Sequence, residues 1–125
     1  MLISRALKRT APLVLGGALV VTLLTTPASA SSGWWYSNGG GAKGFYNHVN
    51  GRVIACDIKS DGYRAVTQIL TKDGYLLTSA VDRLNNGACS WRTPMLFEGE
   101  HKIRVCLVKS GQKPTKCSPA HRFYV

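Results

Sequence analysis

Four cysteines, Cys56, Cys89, Cys106 and Cys117, constrain this chain more than any other feature, because they follow an export signal and contain no C-x-x-C pair. A zinc ribbon or a dithiol redox site would be expected to show such a pair. In a chain sent to an oxidising exterior, four cysteines read instead as two disulfides. The export signal has three adjacent parts: a basic start (Arg5, Lys8, Arg9), an apolar run from Leu13 to Leu24, and Ala28-Ser29-Ala30 behind the breaker Pro27. The charges stay on the cytoplasmic side, the run enters the bilayer as a helix, and the small side chains fit the peptidase. The run is shorter than the roughly 20 residues of a spanning helix. Residues 1–30 are therefore expected to be a cleaved signal helix, leaving a secreted, extracellular product that starts at Ser31 and has no transmembrane span.

A mature chain this short forms one domain and buries only roughly 60–65% of the surface that its unfolded form exposes. Each bridge should add about 2–4 kcal/mol, comparable to the net stability of so small a domain.

The region 31–44 combines Trp34-Trp35-Tyr36 with Gly39-Gly40-Gly41 and reads as a flexible leader. From Phe45 to Val125, short β-branched and aromatic runs are separated by Gly, Asn and Asp at intervals of roughly ten residues, the spacing of an all-β domain. In Arg52–Ile58, alternation places Ile54, Cys56 and Ile58 on one face, so Cys56 is expected to point inward. Asp61-Gly62 turns the chain into Arg64–Thr71, and Lys72-Asp73-Gly74 turns it into Tyr75–Val81, since Asp-Gly supplies the positive φ of a tight hairpin. Asn85-Asn86-Gly87 precedes a strand from Ala88 to Thr93 that Pro94 stops. In His101–Val108, Ile103, Val105 and Leu107 alternate with Lys102, Arg104 and Cys106, giving one apolar face and one with charge and a thiol. Ala120–Val125 closes the chain. Six to seven antiparallel strands without a helix point to an all-β, antiparallel β-sandwich. Cys106 and Cys117 lie on successive strands joined by a loop, which favours the pairing 106–117 with 56–89 among the three possible.

The segment Phe97–Gly111, with a Gly turn before an alternating strand and a Gly loop after it, resembles the penultimate-strand region of immunoglobulin-like and fibronectin type III-like sandwiches. That resemblance implies fold and not function. Phe45–Val66, with Phe-Tyr-Asn-His, Val-Ile-Ala-Cys-Asp and Asp-Gly-Tyr-Arg-Ala-Val, is similar to small secreted proteins of actinomycetes. It implies an extracellular Gram-positive product and supplies no activity.

The residues give little support to catalysis, metal binding or a cofactor. Asp57 and Asp61-Gly62 look like part of a calcium loop, but Lys59 and Gln68 stand where ligands belong, so a capped turn is the simpler reading. His48, His101 and His121 lie far apart, and no G-x-S-x-G elbow occurs. Glu98 and Glu100 flank Gly99 in a turn, in a chain with little room for the substrate cleft of a glycosidase. The chain is expected not to be an enzyme.

Two features remain for binding. Trp34, Trp35 and Tyr36 could stack on sugar rings, enter a membrane interface or cover a sheet. The charge is uneven: without Arg5, Lys8 and Arg9, 13 of the 16 basic residues remain against 6 acids, a net +7, and no acid follows Glu100. Lys102, Arg104, Lys109, Lys113, Lys116 and Arg122 make a basic C-terminal hairpin, suited either to anionic polymers or to solubility and edge protection. Three functions stay open. The first is a binding module at or outside the cell wall, with anionic wall polymer as partner. The second is an inhibitor of a secreted hydrolase that presents the loop 109–116. The third is a cationic antimicrobial or toxin. No reader motif for specific nucleic-acid binding is present.

Overall fold

A computed structural model describes residues 31–84 and 88–125. The expected signal helix and the Asn85-Asn86-Gly87 turn lie outside these residues. Among the described residues eight strands follow one another: β1 (Trp35–Tyr36), β2 (Ala42–Asn47), β3 (Arg52–Asp57), β4 (Arg64–Thr71), β5 (Leu76–Asp82), β6 (Cys89–Arg92), β7 (Glu100–Val108) and β8 (His121–Tyr124). Among the described residues there is no helix. The strands form two antiparallel sheets, β1-β2-β3-β6 and β5-β4-β7-β8.

The sheets face each other across one core. Tyr46, Val53 and Ala55 of the first sheet meet Ala65, Ile69, Ile103, Val105, Leu107 and Phe123 of the second. On β7 the expected alternation holds, with Ile103, Val105 and Leu107 in the core and Lys102, Arg104 and Cys106 on the other face. On β3 the expectation is reversed. Val53 and Ala55 enter the core, and Cys56 lies on the outer face, buried there beside its bridge. Both alternating sets on this strand are apolar, and the narrow side chains go inward because the sheets come close here. A Cβ on Gly44 would lie 2.8 Å from Val105 Cγ2 and still nearer the Thr67 hydroxyl, which donates to the Ile54 carbonyl of the opposite sheet. Ile58 is exposed.

The leader expected over 31–44 is part of the fold. Trp35 and Tyr36 pair with Gly44 and Lys43. Gly39 and Gly40, at φ 89° and 81°, turn the chain between β1 and β2, where Ser37 N donates to the Ala42 carbonyl and Ala42 N donates to Ser37 Oγ. The glycine run serves as a hairpin turn rather than a hinge, since positive φ suits residues without a Cβ. Lys72-Asp73-Gly74 makes the expected β4–β5 hairpin, with Gly74 at φ 96°. Asp61-Gly62 does not make a hairpin: it carries the chain from β3 in one sheet to β4 in the other.

The disulfides are Cys56–Cys89 and Cys106–Cys117. The first joins β3 to its neighbour β6, and the second ties β7 to the loop before β8. Neither links the two sheets. Polar contacts span that gap. Besides the Thr67 hydroxyl, the buried Asp82 of β5 accepts hydrogen bonds from Asp57 N and Ser90 Oγ on the first sheet.

Candidate functional site

In an antiparallel ladder, directly opposed residues point to the same side. The register of the first sheet therefore assembles a row on its outer face. Phe45 opposes Ile54, and Ile54 opposes Trp91. Trp34, one residue ahead of β1, stacks on Phe45 with ring centroids 4.8 Å apart. Three strands and the residue ahead of β1 thus supply Trp34, Phe45, Ile54 and Trp91, a row of about 14 Å at the usual strand spacing. The neighbouring row holds Tyr36, Lys43 and the Cys56–Cys89 bridge. Trp34, Tyr36 and Trp91 are about half exposed, at 44%, 52% and 53%.

A cation sits on each terminal tryptophan. Lys43 Nζ lies 4.6 Å from the Trp34 ring centre, and the Arg52 guanidinium lies 4.4 Å from that of Trp91. The π-face draws each cation and fixes it over the sheet. The row thus has a tryptophan with a cation over it at each end and Phe45 and Ile54 between them.

Strand alternation separates Trp35 from Trp34. Trp35 turns to the inner side, half-buried against the core, where it stacks on His121 at 3.5 Å and donates from Nε1 to the Ser32 carbonyl. Trp35 is a packing residue.

The basic hairpin divides into separate groups. Lys102 opposes Arg122 on the outer face of the second sheet, and Arg104 stands beside them. Arg104 donates from Nε and Nη2 to Gln68 Oε1 at 2.9 and 2.6 Å. Arg122 lies 3.6 Å from Glu100. Its hydrogen bond with Tyr124, and then the Glu100 charge, raise its pKa further. Lys109 and Lys116 converge on the ring of Tyr63, at 4.9 and 5.2 Å. Lys113 is exposed in the loop between them.

That loop is closed at its base. Leu107 and Thr115 exchange backbone hydrogen bonds, Cys106 is bridged to Cys117, and Asn38 N donates to the Lys116 carbonyl. Lys116 has a φ of 51°, a left-handed conformation that non-glycine residues seldom adopt.

The groups weighed for chemistry are dispersed. His101 is buried with Nδ1 3.0 Å from the Gly99 carbonyl, His121 is stacked, and His48 is exposed. Asp57 and Asp61 accept the backbone N–H groups of Lys59 and Tyr63 as turn caps. Burial pushes the Asp57 carboxyl up, and the nearby Asp61 and Asp82 charges push it further, against the Lys59 hydrogen bond. Among the described residues no group of three His, Cys, Asp or Glu could hold a metal ion, and no helix is long and apolar enough to cross a membrane. No family model, curated protein or solved structure matches the chain.

Sequence reasoning did not assemble Phe45, Ile54, Trp91, Lys43 and Arg52 into a site. One signal was available. A bridge between directly opposed strands fixes their register, and counting two residues back from Cys56 and two on from Cys89 brings Ile54 opposite Trp91.

Proposed function

We propose that this protein is a secreted, non-enzymatic binding module of immunoglobulin-like type, and that it takes an anionic cell-wall polysaccharide on the outer face of its first sheet. The observation that carries the reading is the row Trp34–Phe45–Ile54–Trp91 with Lys43 and Arg52 over its tryptophans. The C–H face of a sugar ring stacks on an aromatic plane, and cations beside the plane favour carboxylate or phosphate substituents. The length of the row suits a short run of sugar units better than a single ring.

Strand order supports the immunoglobulin-like part. With β1 set aside, β2-β3-β6 faces β5-β4-β7-β8. This differs from the constant-type order only in moving the fourth strand to the edge of the other sheet. Two disulfides suit an oxidising exterior. All four cysteines are bridged, His101 is in the interior and Asp82 holds the sheets together.

The test is retention of the secreted product by soluble anionic polysaccharide and by isolated wall polymer. Trp34→Ala and Trp91→Ala should each weaken binding about tenfold with the far-ultraviolet spectrum unchanged. A Lys109/Lys113/Lys116 triple neutralisation should weaken it less. If the lysine variant loses more than either tryptophan variant, the basic hairpin is the binding surface and the aromatic row is not.

The closed base of the loop 109–116 favours a second reading, inhibition of a secreted hydrolase, because a pre-ordered loop loses little entropy on entering a cleft. That reading requires one-to-one binding that survives high salt, whereas polyanion binding weakens as salt rises.

A further inference from the structure

A segment with an unpaired backbone lies beside the open edge of a sheet. Thr93–Glu98, between β6 and β7, makes no backbone hydrogen bond with any other described residue. β5 ends the second sheet and pairs only with β4, so its outer row of N–H and C=O groups has no ladder. Between the two lies a cleft of about 320 Å³, with Leu77 and Thr78 on one side and residues 92–97 on the other. Leu77 and Phe97 also line an adjoining cleft of about 490 Å³, which reaches Lys72, Asp73, Glu98 and Glu100. The two make one groove along β5.

Its walls are apolar and its ends are charged. Leu77 is the extra residue of a bulge, since Thr78 opposes Ile69 and Leu76 opposes Leu70. Bulges at sheet edges re-aim side chains. Leu77 is 45%, Phe97 85% and Met95 100% exposed. Arg92 opposes the core residue Val53, so it points to the inner side of the first sheet, away from Trp91, and is the one charged residue lining the first cleft. The far end is acidic. Asp73, Glu98 and Glu100 stand there against Lys72, with Glu100 shared with Arg122.

We propose that this groove binds an extended peptide as an added strand, with an acidic residue at the Arg92 end, apolar side chains along Leu77, Met95 and Phe97, and a basic residue at the Asp73–Glu98 end. Unpaired main chain on both walls selects a peptide, because an extended backbone presents N–H and C=O groups at ladder spacing to both sides. A second copy of this chain is a poorer occupant: its β5 edge carries its own residues 92–97 in front of it, and the cleft admits a single strand. β5 runs from the acidic end toward Arg92, so a strand antiparallel to it carries its acid first. The groove lies off the outer face of the first sheet, so the inference does not depend on the polysaccharide reading.

The probe is the capped peptide Glu-Val-Thr-Val-Thr-Val-Lys, added to the product that starts at Ser31, with amide hydrogen exchange as the readout. The Thr93, Met95, Leu96 and Phe97 amides should exchange freely in the protein alone and slow about tenfold or more with the peptide. The same peptide N-methylated at its valines should bind about tenfold more weakly. Arg92→Glu should weaken binding by a similar factor and recover it for Lys-Val-Thr-Val-Thr-Val-Lys. Phe97→Ser, at an exposed position, should weaken peptide binding with polysaccharide retention equal to that of the parent. Unchanged exchange of the four amides with the peptide, or equal affinity for its N-methylated form, would overturn the inference. Slow exchange in the protein alone that deepens with protein concentration would overturn it in favour of a second copy.

Discussion

The two sheets share a core and differ in what they show to water. On the outer face of the second sheet, Val66, Leu70 and Cys106 are buried although they point away from the core. They lie in ladders with Gln68, Val81 and Lys102, and the Arg104–Gln68 pair and the Cys106–Cys117 bridge cover them. Long polar side chains can close an apolar surface in this way. The first sheet has the same four-strand layout and a disulfide in the corresponding role, yet Trp34, Tyr36 and Trp91 remain open with cations fixed over two of them. An apolar outer face can therefore be closed within this fold. The first sheet's open face is a surface available to a ligand.

Removing the bridges should disturb this comparison most. The Cys56–Cys89 bridge closes 33 residues and the Cys106–Cys117 bridge 11, so the chain-entropy relation gives losses of about 3.7 and 2.8 kcal/mol. Urea unfolding of the Cys56→Ala/Cys89→Ala and Cys106→Ala/Cys117→Ala variants should rank them in that order. Equal midpoints would show that closure entropy does not set the stability of either face.

A smaller effect should sharpen the contrast. Arg104→Ala leaves the buried Gln68 oxygen without its two guanidinium donors and should cost about 1–3 kcal/mol with polysaccharide affinity retained. Trp91→Ala should do the opposite, with stability changed by less than about 1 kcal/mol and affinity lost. A destabilised Trp91→Ala variant with unaltered binding would make the first face another covering layer.

The smallest effect concerns Asp57, the last residue of β3. Its carboxyl is raised above the ordinary range chiefly by burial, so the native state holds this proton more tightly than the unfolded chain does. Stability from this group is full below the unfolded pKa and is lost as pH rises through the folded one. Asp57→Asn keeps an oxygen for the Lys59 N–H and should flatten that fall, with a change under about 1 kcal/mol at neutral pH. An unchanged slope between acid and neutral pH would assign the dependence to other carboxylates.

Local pattern made part of this architecture legible. β7 showed itself because only one of its alternating sets is apolar, and the β4–β5 hairpin because Asp73-Gly74 demands a turn. The disulfide pairing followed from Cys106 and Cys117 being neighbours along the chain. Cys56 was misdirected because Val53 and Ala55 compete with Ile54 and Ile58, and side-chain size favours the wrong set. What decides the matter is Gly44 on the next strand, which brings the sheets together. The Gly39–Gly41 run was read as slack because turn and linker share a composition. The aromatic row draws on three strands and the residue ahead of β1, far apart in sequence, so no window contains it.

Because each disulfide stays within its own sheet, the molecule has a distinctive response to tension between its ends. β1 belongs to the first sheet and β8 to the second, so a pull on both termini is borne across the interface by the core, the Thr67 hydroxyl and Asp82. Once that interface parts, the bridges still withhold the segments between Cys56 and Cys89 and between Cys106 and Cys117. With separations of 33 and 11 residues, about 150 Å of contour stays out of reach at ~3.5 Å per residue. A stretched molecule would be a short tether with two covalent knots, able to extend, bear load and refold from closed loops.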